Sequence, residues 1–211
     1  MALDETFFDI IRIRPGRFTL DEPMETNRLA NGDILSASLG AALWRGEAVL
    51  SPAEHVDAQE VEARLDRLQQ PGEYFLICDW RRKGPRMDPG GAVLGASSPT
   101  VLQLGSDNKS LRLQGLPAGY VLSAGDQLGW LYGQSPERRA LHRIYGAVTA
   151  DGTGVTPFFE VSPHIRPGVA VNAAVELVRP MIKARLLSWD YGASDVLITE
   201  GAKFSFIQKL G

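Results

Sequence analysis

Residues 51–80, SPAEHVDAQEVEARLDRLQQPGEYFLICDW, hold the one sustained helical period of the chain. Ala58, Val61, Leu65 and Leu68 recur at spacings of three and four. That puts a narrow apolar stripe on a helix whose other positions, Glu62, Arg64, Asp66 and Arg67, face water or a neighbour. The pattern predicts a helix over residues 57–70. Two starts fit it. Asp57 can cap, with Glu60 three residues on and Val56 and Val61 as a hydrophobic staple. Ser51, Pro52 and Glu54 offer an earlier capping box with proline at the first helical position, which would make two successive short helices. Pro71-Gly72 stops the helix, and residues 74–78 (YFLIC) follow, apolar on both faces like a central strand covered by the helix on one side.

The remaining pattern is one of strands and turns. Residues 7–13 (FFDIIRI) read as a short strand ended by Pro15-Gly16, with bulk on both faces that predicts burial or contact with another chain. Asn31-Gly32 suits a tight hairpin turn, because both residues tolerate positive φ. Residues 34–39 and 41–50 read as strands, with Gly40 and Gly46 as bulges or turns. From 79 to 100, DWRRKGPRMDPGGAVLGASSPT shows no period, which predicts a mobile or partner-ordered loop. Further strands are predicted at 110–114, within 115–133, and at 140–148, 155–161, 169–178, 181–187 and 203–207, with a turn at Asp151-Gly152. The fold expected is mainly β: a β-sandwich with one flanking α-helix, followed by further β-strands. Residues 1–100 would form a sandwich half carrying the helix and the loop. Residues 101–211 would complete the same domain or form a small second one.

Composition narrows the function classes. With 44% hydrophobic and 22% charged residues the 211-residue chain is ordinary for a globular protein, and 22 Gly and 13 Pro agree with many turns. A net charge of −3 speaks against a sequence-specific nucleic-acid reader, which needs a concentrated cationic face. The single Cys78 cannot form an internal disulfide and suits inert packing. MALDETFF has no apolar signal core and no window is apolar enough to span a bilayer, so synthesis in a reducing cytoplasm is expected, without an export signal.

Reactive chemistry is sparse. His55, His142 and His164 are far apart and none has metal-ligand spacing, so each is expected in a structural role. Nucleophile-elbow, phosphate-loop and dinucleotide-binding motifs are missing, and Asp107, Asp126 and Asp151 lack the spacing of a calcium loop. Asp190, Asp195 and Glu200, beside Trp189 and Tyr191, fit a two-carboxylate sugar site, although a solvated polar loop explains them as well. Trp80, Trp130, Tyr132, Trp189 and Tyr191 offer stacking faces for sugar rings, against the expectation that large aromatics pack inside. Asp79-Trp80-Arg81-Arg82 sets an aromatic beside two guanidiniums, as interface anchors do. The interface candidates are Phe7, Phe8, Trp80, Arg81, Arg82, Trp130 and Trp189. No residue is assigned to catalysis, cofactor or metal.

The order strand, hairpin, capped helix, central strand, long loop and run of strands resembles the distal tail protein of long-tailed bacteriophages and prophages. The resemblance rests on ALWRGEAVLSPAEHVDAQEVEARLDRLQQPGEYFLICDW (42–80), LRLQGLPAGYVLSAGDQL (111–128) and VTPFFEVSPHIRPGVAVNAAVELVRPMIKARL (155–186). It implies a non-enzymatic virion component, a ring of six copies at the tail tip that joins the tail tube protein to the hub protein and lets DNA pass through its lumen. Six copies at −3 each carry about −18, a sign that would keep DNA from sticking. Many relatives carry a separate C-terminal carbohydrate-binding-like domain, to which only the segment from Trp189 onward corresponds here. Two other readings stay open: a carbohydrate-binding β-sandwich for host attachment, and a hydrolase using the C-terminal acids.

Overall fold

A computed structural model describes residues 2–195 and 197–211. The chain is mainly β, with several sheets and one helix longer than a single turn, as the pattern predicts. In chain order the elements begin β1 (Ala2–Asp4), α1 (Phe7–Ile10), β2 (Ile13–Asp21), β3 (Met24–Arg28), β4 (Ile34–Ser38), β5 (Leu43–Leu50), β6 (Ala53–Glu54), α2 (His55–Leu68) and β7 (Glu73–Ile77). They continue with β8 (Thr100–Leu104), β9 (Ser110–Gln114), β10 (Val121–Leu122), β11 (Gln127–Tyr132), β12 (Arg138–Ile144), β13 (Val148–Thr149) and β14 (Phe159–Ser162). The last are β15 (Val175–Glu176), β16 (Ile182–Asp190), β17 (Ala193–Ser194), β18 (Ile198–Glu200) and β19 (Lys203–Gln208).

Two compact units share the chain. Residues 10–74 and 185–208 belong to the first, and residues 3–9, 75–184 and 209–211 to the second. The division therefore does not fall near residue 100, because strand pairing rather than sequence distance decides it: β19 returns to pair with β5, in register from Lys203 opposite Val49 to Ile207 opposite Arg45.

In the first unit β5 is paired on both edges, by β19 and by β2. Its side chains alternate, with Trp44, Gly46, Ala48 and Leu50 turned inward. Phe18 of β2 and Phe204 and Phe206 of β19 join Trp44 in one aromatic cluster, with centroids 5.4 Å apart for Phe18–Trp44 and 5.8 Å for Phe18–Phe206. Gly46 is neither a bulge nor a turn. It is a regular strand position where a Cβ would lie 2.5 Å from Phe206 and 2.7 Å from the Arg17 carbonyl, so only glycine fits. The bulge lies instead between Ile13 and Gly16, so Pro15 shifts register inside β2 rather than ending a strand.

Helix α2 starts two residues before the expected Asp57 and buries Ala58, Leu65 and Leu68. Its N-cap is Glu54, with no side-chain cap bond, and Val56 is exposed, so neither capping box nor staple forms. The reason is that the chain enters the helix from β6, already paired with β18, and the first helical N–H, that of His55, donates to the Leu197 carbonyl at 3.0 Å. A neighbouring backbone does the work of a cap.

The second unit contains a sheet ordered β15-β11-β12-β14-β9-β8, whose core includes Leu111, Leu113, Leu128, Trp130, Ile144 and Val161. The strands expected at 155–161 and 169–178 shrink to β14 and β15, where Pro157 and the positive-φ Asn172 take the chain out of the ladder. The strand expected at 7–13 is instead the single turn α1, begun by Asp4, whose carboxylate accepts the N–H groups of Thr6 and Phe7 at 3.0 Å. The turn buries Phe7 against Phe75, ring edge to ring face at 5.2 Å, and buries Phe8 between the cations of Lys83 and Arg179. His142 of β12 stacks on Trp130 at 4.5 Å and shares a 2.7 Å hydrogen bond with the Pro163 carbonyl, which makes its Nδ1 the donor. Burial pushes the imidazole pKa down to about 4, so the ring is neutral in the folded chain.

Two stability predictions come from this packing. Gly46→Ala should destabilise the first unit by about 1–3 kcal/mol, and adding Phe206→Leu should recover only part, because the Arg17 carbonyl is backbone and cannot yield. Equal urea midpoints for wild type and Gly46→Ala would contradict it. For His142, the unfolded ring binds a proton near pH 6.5 and the folded ring only near 4. Its contribution is therefore full above pH 6.5 and is lost as pH falls toward 4, by about 3 kcal/mol. Urea unfolding at several pH values should show this slope in wild type and a flatter one in His142→Phe; identical slopes would refute it.

Candidate assembly surface

Strands β3 and β4 form a two-stranded sheet of their own in the first unit, in register from Met24 opposite Ser38 to Arg28 opposite Ile34. The turn is the expected Asn31-Gly32: Gly32 has φ +93°, and the Asn31 side-chain oxygen accepts the Asp33 N–H at 3.0 Å. Every residue of both strands is exposed. Ile34 is 70% and Leu35 58% exposed, and Met24, Leu29 and Leu39 are exposed too. Because side chains alternate, Ile34 and Leu35 point to opposite faces, so both faces of the arm are wet and apolar. An isolated hairpin is marginal in water, and exposed apolar strands with open edges are sites of association.

The 79–100 segment of the second unit, expected to be mobile or ordered by a partner, is held within the chain by buried carboxylates. Asp79 is fully buried and accepts Arg81 Nε at 3.0 Å. Asp88 accepts the N–H groups of Val93 at 3.1 Å and Leu94 at 2.8 Å, together with the Tyr120 hydroxyl at 3.1 Å. Burial raises the Asp88 pKa, but those donors outweigh it and hold the carboxyl below its ordinary value. Asp126 accepts the Arg86 N–H at 2.9 Å and the Ser123 N–H at 2.7 Å. The segment shows no hydrophobic period because its main anchors are polar.

These bonds shape a groove of about 560 Å³ walled by Trp80, Arg81, Arg82, Lys83, Arg86 and Asp126. The Arg82 and Arg86 guanidiniums donate to the carbonyls of Gly125 and Ala124, at 3.3 and 3.2 Å, which orients them without neutralising them. Arg82, Lys83 and Arg86 make no ion pair among the described residues. Nearby, burial and then the charges of Arg82 and Arg81 depress the Arg143 pKa, the effect expected of cations crowding one another.

The structure sorts the interface candidates. Phe7, Phe8 and Trp130 are buried within the second unit, so they are not surface anchors: their bulk is used in the chain's own core. Trp80, Arg81 and Arg82 come together in the basic groove, joined by Lys83 and Arg86, which the sequence reading left out although the run RRKGPR displays them. Trp189, 37% exposed, lies on β16 in the first unit. The proposed sugar platform is broken up, since Tyr132 is buried like Trp130 and the Tyr191 hydroxyl is occupied by Asp66 and Gln69. Asp190 accepts the Gly192 N–H and pairs with Lys203 at 3.4 Å, and both lower its pKa, the opposite of what a general acid requires. Cys78 is buried and its thiol pKa is pushed up to about 11 by burial, so it stays a thiol.

Among the described residues no group of three or more His, Cys, Asp or Glu side chains is placed to hold a metal ion, and no helix is long and apolar enough to cross a membrane. No family model matches the chain, and no curated protein matches it in sequence at a significant level.

Proposed function

We propose that the protein is a structural, ring-forming subunit of a phage tail tip, a distal tail type of connector between tail tube and hub. The observation that carries the reading is the β3–β4 arm, which offers apolar side chains on both faces and buries none of its residues. A flat patch would leave one face covered at most, whereas a neighbouring subunit can clasp both. Fully burying Ile34 and Leu35 contributes roughly 1.5–3 kcal/mol each, a gain repeated at every joint of a closed ring. The order of elements read from the sequence resembles that of distal tail proteins, which supports the reading.

Light scattering on the purified protein is expected to report about six copies, either alone or once the tail tube protein is added. Ile34→Asp with Leu35→Asp should give single copies that keep the wild-type near-UV dichroism, since neither side chain is buried within the chain. A wild-type protein that remains a single copy at high concentration and with the tube protein present would refute the proposal.

A further inference from the structure

The arm and the groove are each incomplete, and their charges are opposite. Over residues 21–33 four acids, Asp21, Glu22, Glu25 and Asp33, stand against the single cation Arg28. Asp21 is paired with Arg45 at 3.1 Å, but Glu22 and Glu25 are exposed at the base of the arm, on either side of the exposed Met24. The groove of the second unit carries Arg82, Lys83 and Arg86 against Asp126 on its walls, with Arg81 already paired to the buried Asp79, and Trp80 gives it one partly apolar side. A cationic groove on a chain of net charge −3 is a local reversal of sign. Its Arg82 and Arg86 are oriented by carbonyls, a preorganised receptor for carboxylates.

We infer that the base of the β3–β4 arm of one copy docks in the basic groove of the next, with Glu22 and Glu25 facing Arg82, Lys83 and Arg86. The inference rests on the ring reading and deepens it by naming the joint. Such a contact is heterologous: it uses different surfaces of the two copies, so it propagates in one direction and closes only at a fixed copy number. Its charges steer the encounter and set orientation, and the apolar arm residues then supply contact area. Because the facing groups are exposed, salt weakens the joint.

The test is a charge reversal followed by its compensation, read by sedimentation over a dilution series at low and high salt. Arg82→Glu with Arg86→Glu should weaken assembly about tenfold or more. Adding Glu22→Arg and Glu25→Arg to the same chain should restore it to near the wild-type value, with the salt dependence retained. Arg82→Gln with Arg86→Gln, which keeps polar side chains on the same loop, should give an intermediate loss, and near-UV dichroism of each variant checks that the second unit has folded. Rings that form as well with the reversed groove as with the native one would overturn this joint while leaving the ring reading intact. A wild-type chain that forms no ring at low salt would overturn both. Binding of a labelled DNA duplex that is lost on groove reversal, with assembly unaffected, would assign the groove to phosphates instead of a second copy.

Discussion

The first unit depends on β5 having both edges satisfied. Its earlier neighbour, β2, is close in sequence, but its other edge waits for β19, more than 150 residues further on. Close approach is what makes the pairing specific: Gly46 admits the ring of Phe206 and the carbonyl of Arg17 where any side chain would hold them off. The same returning segment, 185–208, also supplies the carbonyl that receives the first N–H of α2 and the strand that pairs β6, and its Tyr191 hydroxyl meets Asp66 and Gln69 at the far end of the helix. One return of the chain thus closes a sheet edge, starts a helix and steadies its end.

The second unit solves a different problem. Its sheet has an ordinary apolar core, yet the long connection after β7 crosses the unit on carboxylates. A buried carboxylate is costly unless donors surround it, and here backbone N–H groups, a tyrosine hydroxyl and a guanidinium do so. The outcome is an internally bonded loop that presents Arg82, Lys83 and Arg86. The arm of the first unit is the converse, a regular hairpin that presents uncovered apolar groups. Each unit buries its own apolar core and leaves one kind of surface uncovered, apolar on the arm and cationic in the groove.

Elements with a strong local period were legible in the sequence. The helix between residues 57 and 70, the strand at 74–78, the hairpin turn at Asn31-Gly32 and the alternating strand at 110–114 all form within a few residues of where the pattern puts them. What failed did so for physical reasons. The capping box at Asp57 lost to a backbone partner on β18, which no local window contains. FFDIIRI has the composition of a strand, but Asp4 caps it into a turn that buries both phenylalanines. At the candidate site, Trp80, Arg81 and Arg82 were visible as a cluster, whereas the exposure of the arm was not: METNR and ILSAS carry no sign that neither face would be covered. Net charge hid the groove, because an average over the chain says nothing about where the arginines converge.

The late return of β19 sets an order on biosynthesis. As the ribosome delivers the polypeptide, β5 emerges early and pairs with β2, then must hold an open edge while residues 75–184 are produced and the second unit can mature. Only when residues 203–208 leave the exit tunnel does the aromatic cluster close. During that interval β5 presents an open edge, the state in which a strand is most exposed to stray pairing.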